Sequence, residues 1–227
     1  METPWVISGG LAGRLEALAA RAVGRPAFWA TLIGALAAWP VAWSMATTLP
    51  PPLPVLSTVP PFQLVDQAGQ PFGSSDLVGR VWVASFVFTR CDTACPALTR
   101  VLTRVQDRTR ALSPAFHLVT FSVDPDFDTP ARLAEYARGA HASPRLWTFL
   151  TGPADEVRAS VVRGLRVGMG SADDGAGPGE LFHGTALVLV DGRGRVRGYY
   201  DPDAPEAVDR LVRDAGLLVN REGGGRS

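Results

Sequence analysis

Lysine is absent from this 227-residue chain. All 22 basic residues are arginine, set against 22 acidic ones, so the formal net charge is zero. Without a surplus of positive charge the chain lacks the counterion-displacing field of a nucleic-acid binder, which argues against DNA or RNA as its main partner. Cysteine is nearly as scarce, with two residues, and there are three histidines. Two cysteines are too few for an ordinary iron–sulfur cluster. With 46% apolar and 19% charged residues, the composition is neither disordered nor collagen-like. The length fits one domain plus additional sequence.

Charge is missing altogether from residues 26–65. Within that run, residues 27–48 (AFWATLIGALAAWPVAWSMATT) are predicted to form one transmembrane helix, about 33 Å long against a hydrocarbon core of ~30 Å. Trp29 and Trp43 sit near its ends, where indoles favour the headgroup region, and Pro40 is tolerated as a kink. A cleaved signal peptide ending near Ser44-Met45-Ala46 is the competing reading. The apolar run is longer than a signal core, and residues 1–26 precede it, which favours an uncleaved anchor. Arg14, Arg21 and Arg25 lie before the span and none follows until Arg80, so residues 1–26 are expected in the cytoplasm and the rest outside. Residues 49–61, rich in proline, read as a stiff linker. The chemistry then falls to residues 62–220, and residues 221–227 (REGGGRS) read as a disordered tail.

Strand and helix patterns alternate through residues 62–220. The apolar run 81–88 (VWVASFVF) predicts a central strand buried on both faces. Leu98, Val101, Leu102 and Val105 have the spacing of a helix face over 96–112. Residues 117–124 and 146–150 predict further strands. Thr129-Pro130 supplies an N-cap and first-turn proline for a helix to Gly139, and a helix is expected over 153–163. Asp191-Gly192-Arg193-Gly194 marks a hairpin between 185–190 and 196–200, and a final helix over 205–215 is expected to stop at Gly216. This order predicts an α/β fold, a thioredoxin-like mixed sheet flanked by helices.

Cys91 and Cys95 fall where the central strand should end and the next helix begin. A helix N-terminus favours thiolate, and so does Arg90, while Asp92 opposes it. Three chemistries suit the pair. A structural disulfide would close a loop of only about five residues, worth roughly 2 kcal/mol. A redox dithiol also fits, although the spacing is C-x-x-x-C rather than C-x-x-C. Two soft donors also suit Cu(I), which accepts fewer ligands than structural zinc. His117 and His141 read as packed or surface residues, and Met169, a conceivable soft ligand, as a surface or packing residue. His183 ends a Gly/Asp-rich loop (168–179 and onward) just before a strand; a histidine there is commonly structural, and the alternative is an imidazole that the loop brings to the sulfurs.

These motifs resemble the Sco/SenC family of copper-handling proteins. The correspondence runs through Phe88-Thr89-x-Cys91-x-x-x-Cys95-Pro96, then Ser122-Val123-Asp124-Pro125 with Asp128-Thr129-Pro130, and then His183 with the following strand and hairpin. The resemblance implies a thioredoxin-like domain binding one copper, Cu(I) or Cu(II), through Cys91, Cys95 and His183. It implies a role in assembling the copper A centre of cytochrome c oxidase, by delivering copper or by reducing the receiving cysteines. The implied partners are the copper-bearing subunit of the oxidase and other copper chaperones. This sequence departs from the family at two places: Asp92 stands one position before the usual middle aspartate, where Thr93 is found, and Phe182 replaces the aspartate often seen before the histidine. An exported thiol–disulfide oxidoreductase or peroxiredoxin-like enzyme, using the same cysteines, is the alternative.

Overall fold

The computed structural model describes residues 25–46, 51–90, 94–167 and 186–223. Two compact units are present, divided between Pro52 and Leu53. The first holds helix α1 (Pro26–Ala46), which contains Pro40 and carries Ile33, Leu36, Trp39 and Trp43 exposed. Among the described residues, no helix is long and apolar enough to cross a membrane. Residues 27–46 of the expected span thus lie in a helix, but a membrane-crossing helix over 27–48 is not shown; residues 47 and 48 lie outside the described residues.

The second unit is built on one mixed sheet. Its strands are β1 (Ser57–Thr58), β2 (Gln63–Asp66), β3 (Pro71–Gly73), β4 (Val81–Val87), β5 (Phe116–Ser122), β6 (Trp147–Thr151), β7 (Leu187–Val190) and β8 (Arg195–Tyr200). Their spatial order is β1-β8-β7-β4-β5-β6-β2-β3. β4, β5 and β6 run parallel, and the remaining pairings are antiparallel. Helices α2 (Ala94–Thr109) and α3 (Pro130–Gly139) make the crossovers β4–β5 and β5–β6. α4 (Ala154–Arg158) continues into a π-helical turn (Ala159–Gly164), and α5 (Ala207–Gly223) ends the described chain.

β4 shows why the sheet sits at the centre. All seven of its residues are buried. Alternation sends Val81, Val83 and Val87 to one face, where α2, α3 and α5 contribute Leu98, Leu102, Leu133, Leu211 and Leu218. Trp82, Ala84 and Phe86 point to the other face, covered by Val157, Val161 and Leu165. Each such side chain contributes about 1.5–3 kcal/mol on burial. Two buried hydroxyls and an indole pair between the layers: Ser85 Oγ meets Thr120 Oγ1 at 2.7 Å, and Trp147 Nε1 donates to the same hydroxyl at 2.8 Å.

Three local expectations differ from the structure. The proline-rich stretch engages the sheet from Leu53 onward. Arg197 donates from Nε to the Pro54 carbonyl at 3.0 Å and from Nη2 to that of Leu53, while Nη1 meets buried Asp191 Oδ2 at 2.7 Å. β1 then pairs with β8. The last helix runs through Gly216 to Gly223, because Leu211, Ala215 and Leu218 continue its buried stripe and Glu222 accepts the Gly192 N–H. Arg221 to Gly223, expected in a disordered tail, thus form its last turn; residues 224–227 lie outside the described residues. The helix expected over 153–163 changes at Ala159 from α to π geometry.

Candidate metal centre

Of the three expected ligands, Cys95 is described; Cys91 and His183 lie outside the described residues. Cys95 is the second residue of α2 and is 5% exposed, packed in the core with Val87 and Leu98. Its turn is tied to α3: Thr99 Oγ1 donates to the Cys95 carbonyl at 2.8 Å and meets Tyr136 Oη at 2.6 Å. Tyr136 in turn packs edge-on against Phe149. Among the described residues no group of three His, Cys, Asp or Glu side chains could hold a metal ion. Cys95 thus sits on a fixed helical turn at the start of α2.

The topology fixes where the described chain on either side of residues 91–93 and 168–185 lies. β4 ends at Val87, and the chain reaches Arg90 just before Cys91. β7 runs antiparallel beside β4, with Ala84 opposite Val188, so its first residues lie beside the end of β4. Arg90, which precedes residues 91–93, and Ala186, which follows residues 168–185, therefore belong to the same edge of the sheet. It is the carboxyl edge of the parallel strands, where open α/β sheets bind their ligands.

The other histidines lie elsewhere. His117 pairs in register with Trp82, five positions before Val87, about 16 Å along the strand from the end of β4. It is buried, with Nε2 2.8 Å from Thr148 Oγ1 and Phe72 stacked on its ring, while Nδ1 has no hydrogen-bond partner among the described residues. Burial, and secondarily the charge of Arg80, lower its pKa from 6.5 to about 4. His141 follows α3, which carries the chain back to the opposite edge, and adopts a left-handed backbone with φ of 52°. His117 is thus a packed residue and His141 an exposed one. Met169 lies outside the described residues.

In the sequence the 122–130 segment is a motif without a role. The structure supplies one. Asp128 is fully buried and receives the Thr89 N–H on both oxygens, at 3.2 and 3.1 Å, together with the Thr89 hydroxyl and the Ser122 hydroxyl at 2.6 Å. Asp124 Oδ2 approaches Arg90 Nε at 2.5 Å, a close ion contact without the alignment of a hydrogen bond. Arg90 and Arg132 lie over the Phe127 ring, at 5.1 and 3.7 Å from its centroid. A polar residue two positions before a cysteine was the available signal; the 39-residue separation hid its partner.

The SCO1/SenC family model matches residues 52–214. A SCO1 protein homolog of Bacillus subtilis is 30% identical over 139 residues, covering 61% of this chain and 70% of the relative. A structure of BsSco, from work on a disulfide switch in this member of the Sco family of cytochrome c oxidase assembly proteins, is 27% identical. Its TM-score is 0.64, covering 74% of this chain and 97% of that one. Bradyrhizobium japonicum ScoI with copper bound, 24% identical, shares the fold with a TM-score of 0.58 over 71% of this chain and 99% of that one. The thioredoxin-like sheet, the cysteine turn at its carboxyl edge and the matched 52–214 region lead to one conclusion: the chain belongs to the SCO1/SenC family.

Proposed function

We propose that this protein is a membrane-anchored copper carrier for assembly of the copper A centre of cytochrome c oxidase, holding its cargo through Cys91, Cys95 and His183. One observation carries the reading: the turn bearing Cys95 and the start of β7 share one sheet edge, so the cysteine and histidine segments leave from adjoining strands. Two thiolates and an imidazole match the soft, low-coordinate preference of Cu(I). Transfer then proceeds by ligand exchange. An acceptor thiolate forms a Cu–S bond as a Cu–S bond to Cys91 or Cys95 breaks, and the ion keeps its charge throughout. The copper bound in ScoI and the oxidase-assembly role of the family of BsSco support the reading. The uncharged helix α1 with exposed Ile33, Leu36, Trp39 and Trp43 supports anchoring through residues 27–48, with the sheet domain outside.

The burial of Cys95 also favours a second reading, thiol–disulfide exchange, in which an accessible Cys91 attacks and a sheltered Cys95 resolves. Anaerobic Cu(I) titration of the reduced, detergent-solubilised chain against a competing chelator separates the two. The carrier binds one Cu(I) per chain. Cys91→Ser and Cys95→Ser abolish tight binding, and His183→Ala weakens it by more than about 100-fold, beyond the loss typical of an outer-shell partner. Unchanged affinity in Cys91→Ser, or metal-free reductase turnover indifferent to His183→Ala, would overturn the carrier reading.

A further inference from the structure

The geometry points to Asp128 as a positioning residue for the Cys91 thiol, acting through Thr89. The carboxylate is fully buried, and no ion pair reaches it among the described residues. Its hydrogen bonds go instead to two strand ends: the amide and hydroxyl of Thr89 after β4, and the hydroxyl of Ser122 at the end of β5. Such a group is costly to bury, and here its bonds fix the point from which the chain departs toward Cys91.

The same turn holds the next residue. Asp124 contacts Arg90, and the guanidinium of Arg90 lies over Phe127. The turn is itself rigid: Val123 N–H donates to the Val87 carbonyl at 2.9 Å, the Asp124 N–H to Ser122 Oγ at 3.1 Å, and the Asp128 N–H to the Asp124 carbonyl at 2.9 Å. On the far side of the cysteine loop, Thr99 joins the Cys95 turn to Tyr136 of α3. Both flanks of the Cys91–Cys95 segment are thus fastened to one unit, β5 with α3. Residues 89–90 on one side and the Cys95 turn on the other are therefore held by contacts from outside the cysteine segment. Supporting partners of this kind, one step removed from a metal ligand, typically govern 10–100-fold in affinity.

The test compares Asp128→Asn, Thr89→Val and Thr89→Ser in the full chain in detergent. Its copper arm rests on the proposed ligand role of Cys91; its second arm does not. In the first, Cu(I) affinity falls about 10–100-fold in Asp128→Asn and Thr89→Val and stays near wild type in Thr89→Ser, which restores the hydroxyl. In the second, the reduced metal-free chain is alkylated, and Cys91 and Cys95 are read separately by peptide mass mapping. Cys91 reacts about tenfold faster in the first two variants, because residues 89–90 open more often, and at the wild-type rate in Thr89→Ser. Should Asp128→Asn fail to fold, Thr89→Val decides, since its side chain is only half-buried. A wild-type chain that takes up no Cu(I) removes the copper reading and leaves the alkylation contrast to judge the positioning role. Wild-type affinity together with wild-type Cys91 reactivity in folded Thr89→Val overturns the inference.

Discussion

A histidine held neutral in a core makes stability depend on pH, and His117 is such a residue. Burial lowers its pKa from 6.5 to about 4. Between those values the unfolded chain takes up a proton that the folded chain refuses, so stability falls as pH drops through that window and levels off below it. The shift corresponds to roughly 3 kcal/mol. Asp191 acts in a lower range. Burial pushes its carboxyl up, but hydrogen bonds from Arg195, Arg197 and the Arg193 backbone outweigh this and hold it below the usual 3.8. Its contribution is present above the unfolded value and lost as pH falls through the folded one, below the histidine window. Urea unfolding at about pH 7.5 and 4.5 should therefore show a drop on the order of 2–3 kcal/mol in the wild type and little of it in His117→Gln. An equal drop in both proteins would assign the slope to other groups.

Among the elements, the periodic ones are legible in the sequence. The face Leu98, Val101, Leu102 and Val105 is buried in α2, and Thr129 caps α3 with Pro130 behind it. Elements ruled by distant partners are not legible in this way. β1 has two residues in a proline-rich stretch and exists because β8 offers an edge. Gly216 reads as a stop, yet α5 passes through it, held by its apolar stripe and by Glu222 at the hairpin. A Cβ at Gly216 would meet nothing within 4 Å. Gly216→Ala should thus stabilise the protein by about 0.5–1 kcal/mol, since alanine loses less backbone entropy on entering a helix. A lower unfolding midpoint in that variant would mean the helix is interrupted there in solution.

At the scale of the whole molecule, the division at Leu53 separates a helix from a sheet domain whose first residues are already bound. Deleting residues 1–52 should leave cooperative unfolding and its midpoint intact while moving the protein from the membrane to the soluble fraction. Starting the chain at Pro60 instead removes β1 and the two carbonyls that Arg197 binds. It should cost about 2–4 kcal/mol, because donors of a buried guanidinium lose their partners. Equal midpoints for the two truncations would show that the docked stretch adds nothing, and a 1–52 deletion still sedimenting with membranes would count against the anchor.

The strand and helix stripes, the cysteine pair at a strand–helix junction and the family motifs are all written in the linear chain, because periodicity and short spacings are local properties. Folding alone settled that β7 inserts beside β4, that the stretch from Leu53 joins β8, and that Asp128 fastens Thr89. Those outcomes depend on which buried surfaces and polar groups meet after the chain closes loops of tens of residues. No local period encodes that choice.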